Sequence, residues 1–221
     1  MKYALPMSIF AVVAALAAVL VGDWAYLLLW PAACFGFVAI AYFIERPSLL
    51  GKRLDGSRPW LLRLFLAPYL ALTWTKRKLE GRKTSLFYAE VVPGVWIGRR
   101  PVPGGLPDGV KVVLDLTSEF RPPNYGDGID VWCLPMLDGT PGELEDLLAT
   151  LGRAAKQDAI FVHCAQGRGR SGLFTAALLI ARGDATDADD AWAKVTAAKP
   201  DARLNRRQRA VFEAVAKRLS S

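Results

Sequence analysis

Two long apolar runs open the chain. Ala4 to Val21 is interrupted only by Pro6 and Ser8, and Trp24 to Ile44 carries no charged residue. Coiled as helices at about 1.5 Å per residue, either run is long enough to cross a hydrocarbon layer of roughly 30 Å. Only Gly22 and Asp23 separate them, with Trp24, Tyr26 and Trp30 nearby as interface anchors, so the pattern predicts a transmembrane helical hairpin over residues 1–45. A cleaved leader is the competing reading of the first run. A third apolar stretch, Pro59 to Thr75, contains Arg63 and Pro68 and is short for a span. It predicts an interfacial helix or helix pair within a basic connector, residues 46–83, with packing on the downstream domain as the alternative.

From Thr84 onward the pattern changes. Short apolar runs predict strands at about 86–92, 95–98, 111–116, 129–134 and 159–163, set apart by Pro/Gly turns. Thr140-Pro141, with Glu143 and Glu145 following, predicts a helix start, and that helix runs to about Lys156. Further helices are expected at about 170–182, 187–198 and 205–219. Strands alternating with helices predict an α/β domain over 84–221, a central mostly parallel sheet flanked by helices.

Charge divides the chain the same way. Residues 1–83 hold eleven Lys/Arg and four acidic residues, and the remainder holds seventeen of each, so the formal charge of +7 belongs to the N-terminal part. Basic residues beside apolar spans suit anionic lipid head groups, and no nucleic-acid motif accompanies them. The positive-inside rule places Arg46, Lys52, Arg53 and Arg58 in the cytoplasm, and with them the α/β domain. A reducing compartment suits free thiols. Of the three cysteines, Cys34 and Cys133 read as small buried hydrophobes, Cys133 with a lesser chance of redox pairing with Cys164, and no metal-ligand spacing is present.

Candidate chemistry concentrates in His163-Cys164-Ala165-Gln166-Gly167-Arg168-Gly169-Arg170-Ser171-Gly172. An apolar strand precedes this stretch and a helix-compatible run follows it. A glycine-rich strand-to-helix turn converges backbone N–H groups on an anion, so Ala165 to Arg170 form a candidate phosphate-binding loop. Arg170 supplies a fork matching two phosphate oxygens. The same field favours the thiolate of Cys164, a nucleophile toward bound phosphoryl. Ser171 is placed to donate to the departing sulfur, and His163 to orient the Cys164 backbone.

This stretch resembles the signature of the cysteine-dependent protein tyrosine phosphatases: His-Cys, five residues, Arg, then Ser or Thr. Val92 to Gly98, Val112 to Thr117 and Leu204 to Gln208 resemble the opening strand turn, the next core strand and the last helix start of the dual-specificity branch. Together they cover about 84 to 219. The resemblance implies a dual-specificity phosphatase-like fold, a phosphocysteine intermediate, and neither cofactor nor metal. Such chemistry needs a proton donor for the leaving oxygen. Asp138, in Leu134-Pro135-Met136-Leu137-Asp138, lies where the family's general-acid loop lies; its alternative is a turn or helix-cap role, and Asp115 is the rival carboxylate.

The expected activity is therefore that of a membrane-anchored phosphatase, integral to the cytoplasmic (inner) membrane. Its substrate is a phosphorylated protein or an anionic phospholipid; Arg168, a second cation within the loop, leans toward the lipid, as in a dedicated lipid phosphatase. A silent phospho-binding adaptor is the reading from another class, which predicts loss of Cys164, Arg170 or Asp138. All three are present.

Overall fold

The computed structural model describes residues 3–80, 87–102 and 104–219. Helix α1 (Ala4–Val21) turns back through Gly22 and Asp23, both at positive φ, into a short 3-10 turn and α2 (Leu29–Phe43). The second run is thus a 3-10 segment plus a helix rather than one continuous helix. Both are long and apolar enough to cross a membrane. Facing pairs Phe10–Phe35 and Tyr3–Tyr42 give an antiparallel hairpin with Tyr3 and Tyr42 at its foot.

The third apolar stretch forms two helices, α3 (Trp60–Phe65) and α4 (Ala67–Glu80). Pro68 sits in the first turn of α4, where a missing N–H costs nothing, and so separates the two. Their junction leans on the side of α2: the Trp30 indole N–H donates to the Phe65 carbonyl at 3.0 Å, and the Phe37 and Phe65 rings meet edge-on. Leu66 and Tyr69 are buried against Cys34, Val38, Ala41, Tyr42 and Leu137, while Trp60, Leu61, Leu64 and Trp74 stay exposed. The pair therefore touches both the hairpin and the α/β domain. The expected 83/84 boundary lies outside the described residues.

Five strands follow: β1 (Tyr88–Val92), β2 (Val95–Arg99), β3 (Val112–Thr117), β4 (Asp130–Met136) and β5 (Ile160–Cys164). Their order is β1-β2-β5-β3-β4, with β1 antiparallel to β2 and every other pair parallel. This is the mostly parallel sheet read from the sequence. Strand β5 lies at its centre and is buried throughout, which explains why its run, Ile160-Phe161-Val162, is apolar on both faces. Ile97, Leu114 and Val162 point to the side covered by α5 (Leu144–Ala154), α6 (Arg170–Arg182), α7 (Ala188–Ala198) and α8 (Arg206–Leu219). Val113 and Phe161 face the other side with Trp96 and Tyr125.

Helix α5 begins at Leu144, four residues after the Thr140 start expected from sequence. Gly142 adopts φ 82°, outside the helical region, and Thr140 spends its hydroxyl on the Leu137 carbonyl. Parallel pairing brings the ends of β3, β4 and β5 to one edge. Leu137, just past β4, packs there into the cluster formed by the foot of the hairpin, so the two apolar helices sit over the carboxyl edge of the sheet.

Candidate active site

Strand β5 delivers Cys164 at that edge, and the loop from Ala165 to Gly169 curls into the N-terminus of α6. Gly167 has φ 72°, and a Cβ on it would lie 2.5 Å from the Arg99 nitrogen and the Gly98 carbonyl carbon. Backbone of β2 passes directly beneath, so only glycine closes this curl. Its N–H donates to the Cys164 Sγ at 3.2 Å, and Ser171 Oγ lies 3.4 Å from the same sulfur. Amide, hydroxyl and helix N-terminus thus surround a buried sulfur with positive dipole ends.

Arg170 is almost wholly buried and is gripped by a residue that the sequence reading did not single out. Glu119 accepts from both guanidinium nitrogens, Nη1 at 2.9 Å and Nη2 at 2.8 Å, and the Met136 carbonyl accepts a further bond from Nη1 at 2.9 Å. Asp138 Oδ1 lies 3.3 Å from Nη2. Burial works against the charge of Arg170, but Glu119 and Asp138 outweigh it and hold the guanidinium well above its ordinary pKa. With both terminal nitrogens held and Nε buried without a partner, the guanidinium has little rotamer freedom left to lose when it binds an anion.

The Asp138 loop is tied in place by the start of α8. Asn205 Nδ2 donates to the Gly139 carbonyl at 2.7 Å, its Oδ1 caps the Gln208 N–H at 2.9 Å, and Gln208 Nε2 reaches the Thr140 carbonyl. Gly139, at φ 82°, makes the turn that follows the acid. Asp138 therefore lines the same pocket as Cys164, Gln166, Arg168 and Gly169, a cavity of about 350 Å³.

One wall of this pocket comes from the other end of the chain. Tyr3, immediately before α1, hydrogen-bonds Asp138 through its hydroxyl; burial first, and the carboxylate second, raise its pKa. Lys76 of α4 stands 3.4 Å from that hydroxyl and over the Tyr3 ring. Both residues line the catalytic pocket. A third-residue tyrosine carries no sequence signal for this placement.

Other expected site residues have particular surroundings. His163 is fully buried behind the loop, with Tyr125 Oη 3.3 Å from Nε2 and Asp115 Oδ1 3.9 Å from Nδ1. Burial, opposed by Asp115, pulls its pKa down to about 4, so the ring is neutral near pH 7. It reaches the site through the backbone, not as a cation beside the sulfur. Arg168 lines the pocket with its Nε donating to Asp201 at 2.9 Å, while Lys199 holds the other oxygen of Asp201 at 2.7 Å. One carboxylate thus serves two cations. Ala165 and Gln166 line a second cleft between the loop and α4. Cys133 is buried in β4, and burial lifts its thiol to about 11.

Asp115, the rival carboxylate, faces away from the pocket. It accepts from the Thr117 N–H at 2.8 Å and from Lys52 Nζ at 2.8 Å; Lys52 also donates to the Thr117 carbonyl at 2.6 Å. Burial would raise this carboxyl, but Lys52 foremost reverses that and takes it to about 2. Lys52 belongs to the basic connector, and its side chain is 1% exposed.

No protein-family model matches the chain, and no curated protein matches its sequence. Solved structures do match. PTPMT1 in complex with PI(5)P is 19% identical, with a TM-score of 0.54 over 61% of this chain and 97% of that one. Tk-PTP in its active form is 24% identical, with a TM-score of 0.52 over 61% and 99%. Human DUSP28 is 22% identical, with a TM-score of 0.55 over 62% and 98%. About three fifths of this chain thus matches nearly the whole of each of these structures: the chain carries the fold of the cysteine-dependent protein tyrosine phosphatases, in its dual-specificity form.

Proposed function

We propose that the chain is a membrane-anchored cysteine-dependent phosphatase that removes phosphomonoester groups from phospholipid head groups. The observation that carries this reading is the shared pocket. Cys164, Gln166 and Asp138 form one side, while Tyr3 and Lys76, from the foot of the hairpin and from α4, form another. With the hairpin in a bilayer, that pocket opens at head-group level. The PI(5)P found with PTPMT1 agrees with a lipid phosphate in this fold.

In the first step the Cys164 thiolate attacks phosphorus while Arg170 and the loop amides hold the non-bridging oxygens. Asp138 gives its proton to the leaving oxygen, the P–O bond breaks, and the lipid alcohol departs. In the second step Asp138, now ionised, takes a proton from water as that water attacks the phosphocysteine. Ser171 donates to the sulfur as the S–P bond breaks, releasing inorganic phosphate and restoring the thiolate. Positive-inside charge distribution sets the catalytic domain on the cytoplasmic face.

The test is a side-by-side rate of the full-length protein on vesicles bearing a phosphomonoester lipid and on phosphopeptides. A strong vesicle preference, abolished by Cys164→Ser, is expected. Faster phosphopeptide turnover would transfer the assignment to proteins, and undiminished turnover by Cys164→Ser would remove the thiolate mechanism.

A further inference from the structure

A second cavity, about 400 Å³, lies between the α3/α4 pair and the loop that follows β3. Its two walls differ in chemistry. Ala67, Leu70, Ala71 and Trp74, at i, i+3, i+4 and i+7, form one face of α4 and present it to the cavity. The same cavity is lined by Ser57 and Arg58 of the connector, Arg63 of α3 and Arg121 after β3, together with Lys52 and Glu119. Arg58 Nη2 donates to the Ser118 carbonyl, yet its Nε, and the Ser57 hydroxyl beside it, are buried without a hydrogen-bond partner. Such orphaned donors cost free energy unless something accepts from them. Burial also depresses the Arg58 guanidinium, a penalty that a bound anion relieves.

We infer that this cavity is a binding site for an anionic phosphodiester lipid, with the phosphate among Ser57, Arg58, Arg63 and Arg121 and the first acyl methylenes along α4. Its occupant is a lipid rather than a free anion because the apolar face of α4 lines the same cavity as the arginines, beside an α3 whose Trp60, Leu61 and Leu64 are exposed. Neither Cys164 nor Asp138 lines this cavity, so a lipid held here is bound and not consumed. Glu119 lines the cavity and binds Arg170 through both carboxylate oxygens, so the two sites share a residue. The inference rests on the membrane placement of the helices proposed above.

Its test uses full-length Cys164→Ser protein in zwitterionic nanodiscs, titrated with phosphatidylglycerol, with bound lipid counted by native mass spectrometry. One phosphatidylglycerol per chain is expected, held in preference to phosphatidylcholine. The pair Arg63→Met/Arg121→Met, both exposed, weakens it tenfold or more, and Ser57→Ala severalfold, with the circular dichroism of both unchanged. Equal retention of the two lipids, unaltered affinity in both variants, or equally tight binding of glycerol phosphate in place of the lipid would each overturn the site. Hydrolysis is blocked throughout, so failure of this binding is separable from failure of the phosphatase reading.

Discussion

Glu119 holds Arg170 by two parallel hydrogen bonds, of 2.8 and 2.9 Å, across 51 residues of sequence. Both groups are buried, so the pair fixes the plane of the guanidinium before any phosphate arrives. Glu119→Gln keeps the shape but leaves the fork without its counter-charge. Breaking a buried pair costs up to a few kcal/mol, so kcat is expected to fall on the order of 10- to 100-fold. The loss should be equal for good and poor leaving groups, because the clamp acts on phosphate and not on proton transfer. A leaving-group-dependent loss would place Glu119 in the acid step instead.

Asp138 and Tyr3 define the complementary case. Asp138→Ala is expected to slow alkyl phosphate hydrolysis by roughly 10²–10⁴, the usual worth of a general acid, while an aryl phosphate with a good leaving group loses far less. Tyr3→Phe keeps the ring that packs on Gly139 and deletes the hydroxyl that meets Asp138. It should reproduce the same selectivity at several-fold amplitude. Equal slowing of alkyl and aryl esters would show that Tyr3 only supports the fold.

Lys52 and Asp115 predict where the molecule can be cut. A fragment spanning 84–221 leaves Asp115 buried without its lysine and exposes Leu137 to water. An uncompensated buried charge costs about 3–5 kcal/mol, a large share of a domain's stability. The fragment is expected to aggregate or melt far below the full-length protein, and Lys52→Met to lower the melting temperature of the intact chain. A fully stable, soluble fragment would contradict this.

Acid should destabilise the fold in two stages. His163 titrates near 4 when folded and near 6.5 when unfolded, so the unfolded chain binds the extra proton between those values. The stability this contributes is complete above about pH 6.5 and is lost as pH falls toward 4. Asp115 acts below that, its contribution being lost as pH drops from its ordinary value near 4 toward 2. Denaturant midpoints measured from pH 7 to 4 are expected to fall for the wild type and to stay flatter for His163→Gln. Parallel curves would rule out His163 as the source.

Local features were the ones visible in the sequence. The stretch from His163 to Gly172 declares itself because a phosphate loop is contiguous, and strand β5 because a central strand must be apolar on both faces. Helix α5 was placed early because Thr140-Pro141 resembles a start, whereas Gly142 breaks the path. Glu119, Tyr3 and Lys52 escaped because each acts through a partner dozens of residues away. Lys52 in particular sits among basic residues whose charge pattern suggests lipid, and nothing in its neighbours tells that it turns inward. Arg168 shows the converse: a loop cation that suggests an anionic ligand already faces Asp201.

On the membrane placement proposed above, the foot of the hairpin at Tyr3 sets the standoff between the nucleophile and the bilayer. An enzyme so mounted would search for substrate in two dimensions, and its rate would follow the mole fraction of phosphomonoester in the lipid surface rather than the bulk amount. Dilution of vesicles with buffer would then leave turnover unchanged, whereas dilution of the substrate with inert lipid within each vesicle would slow it.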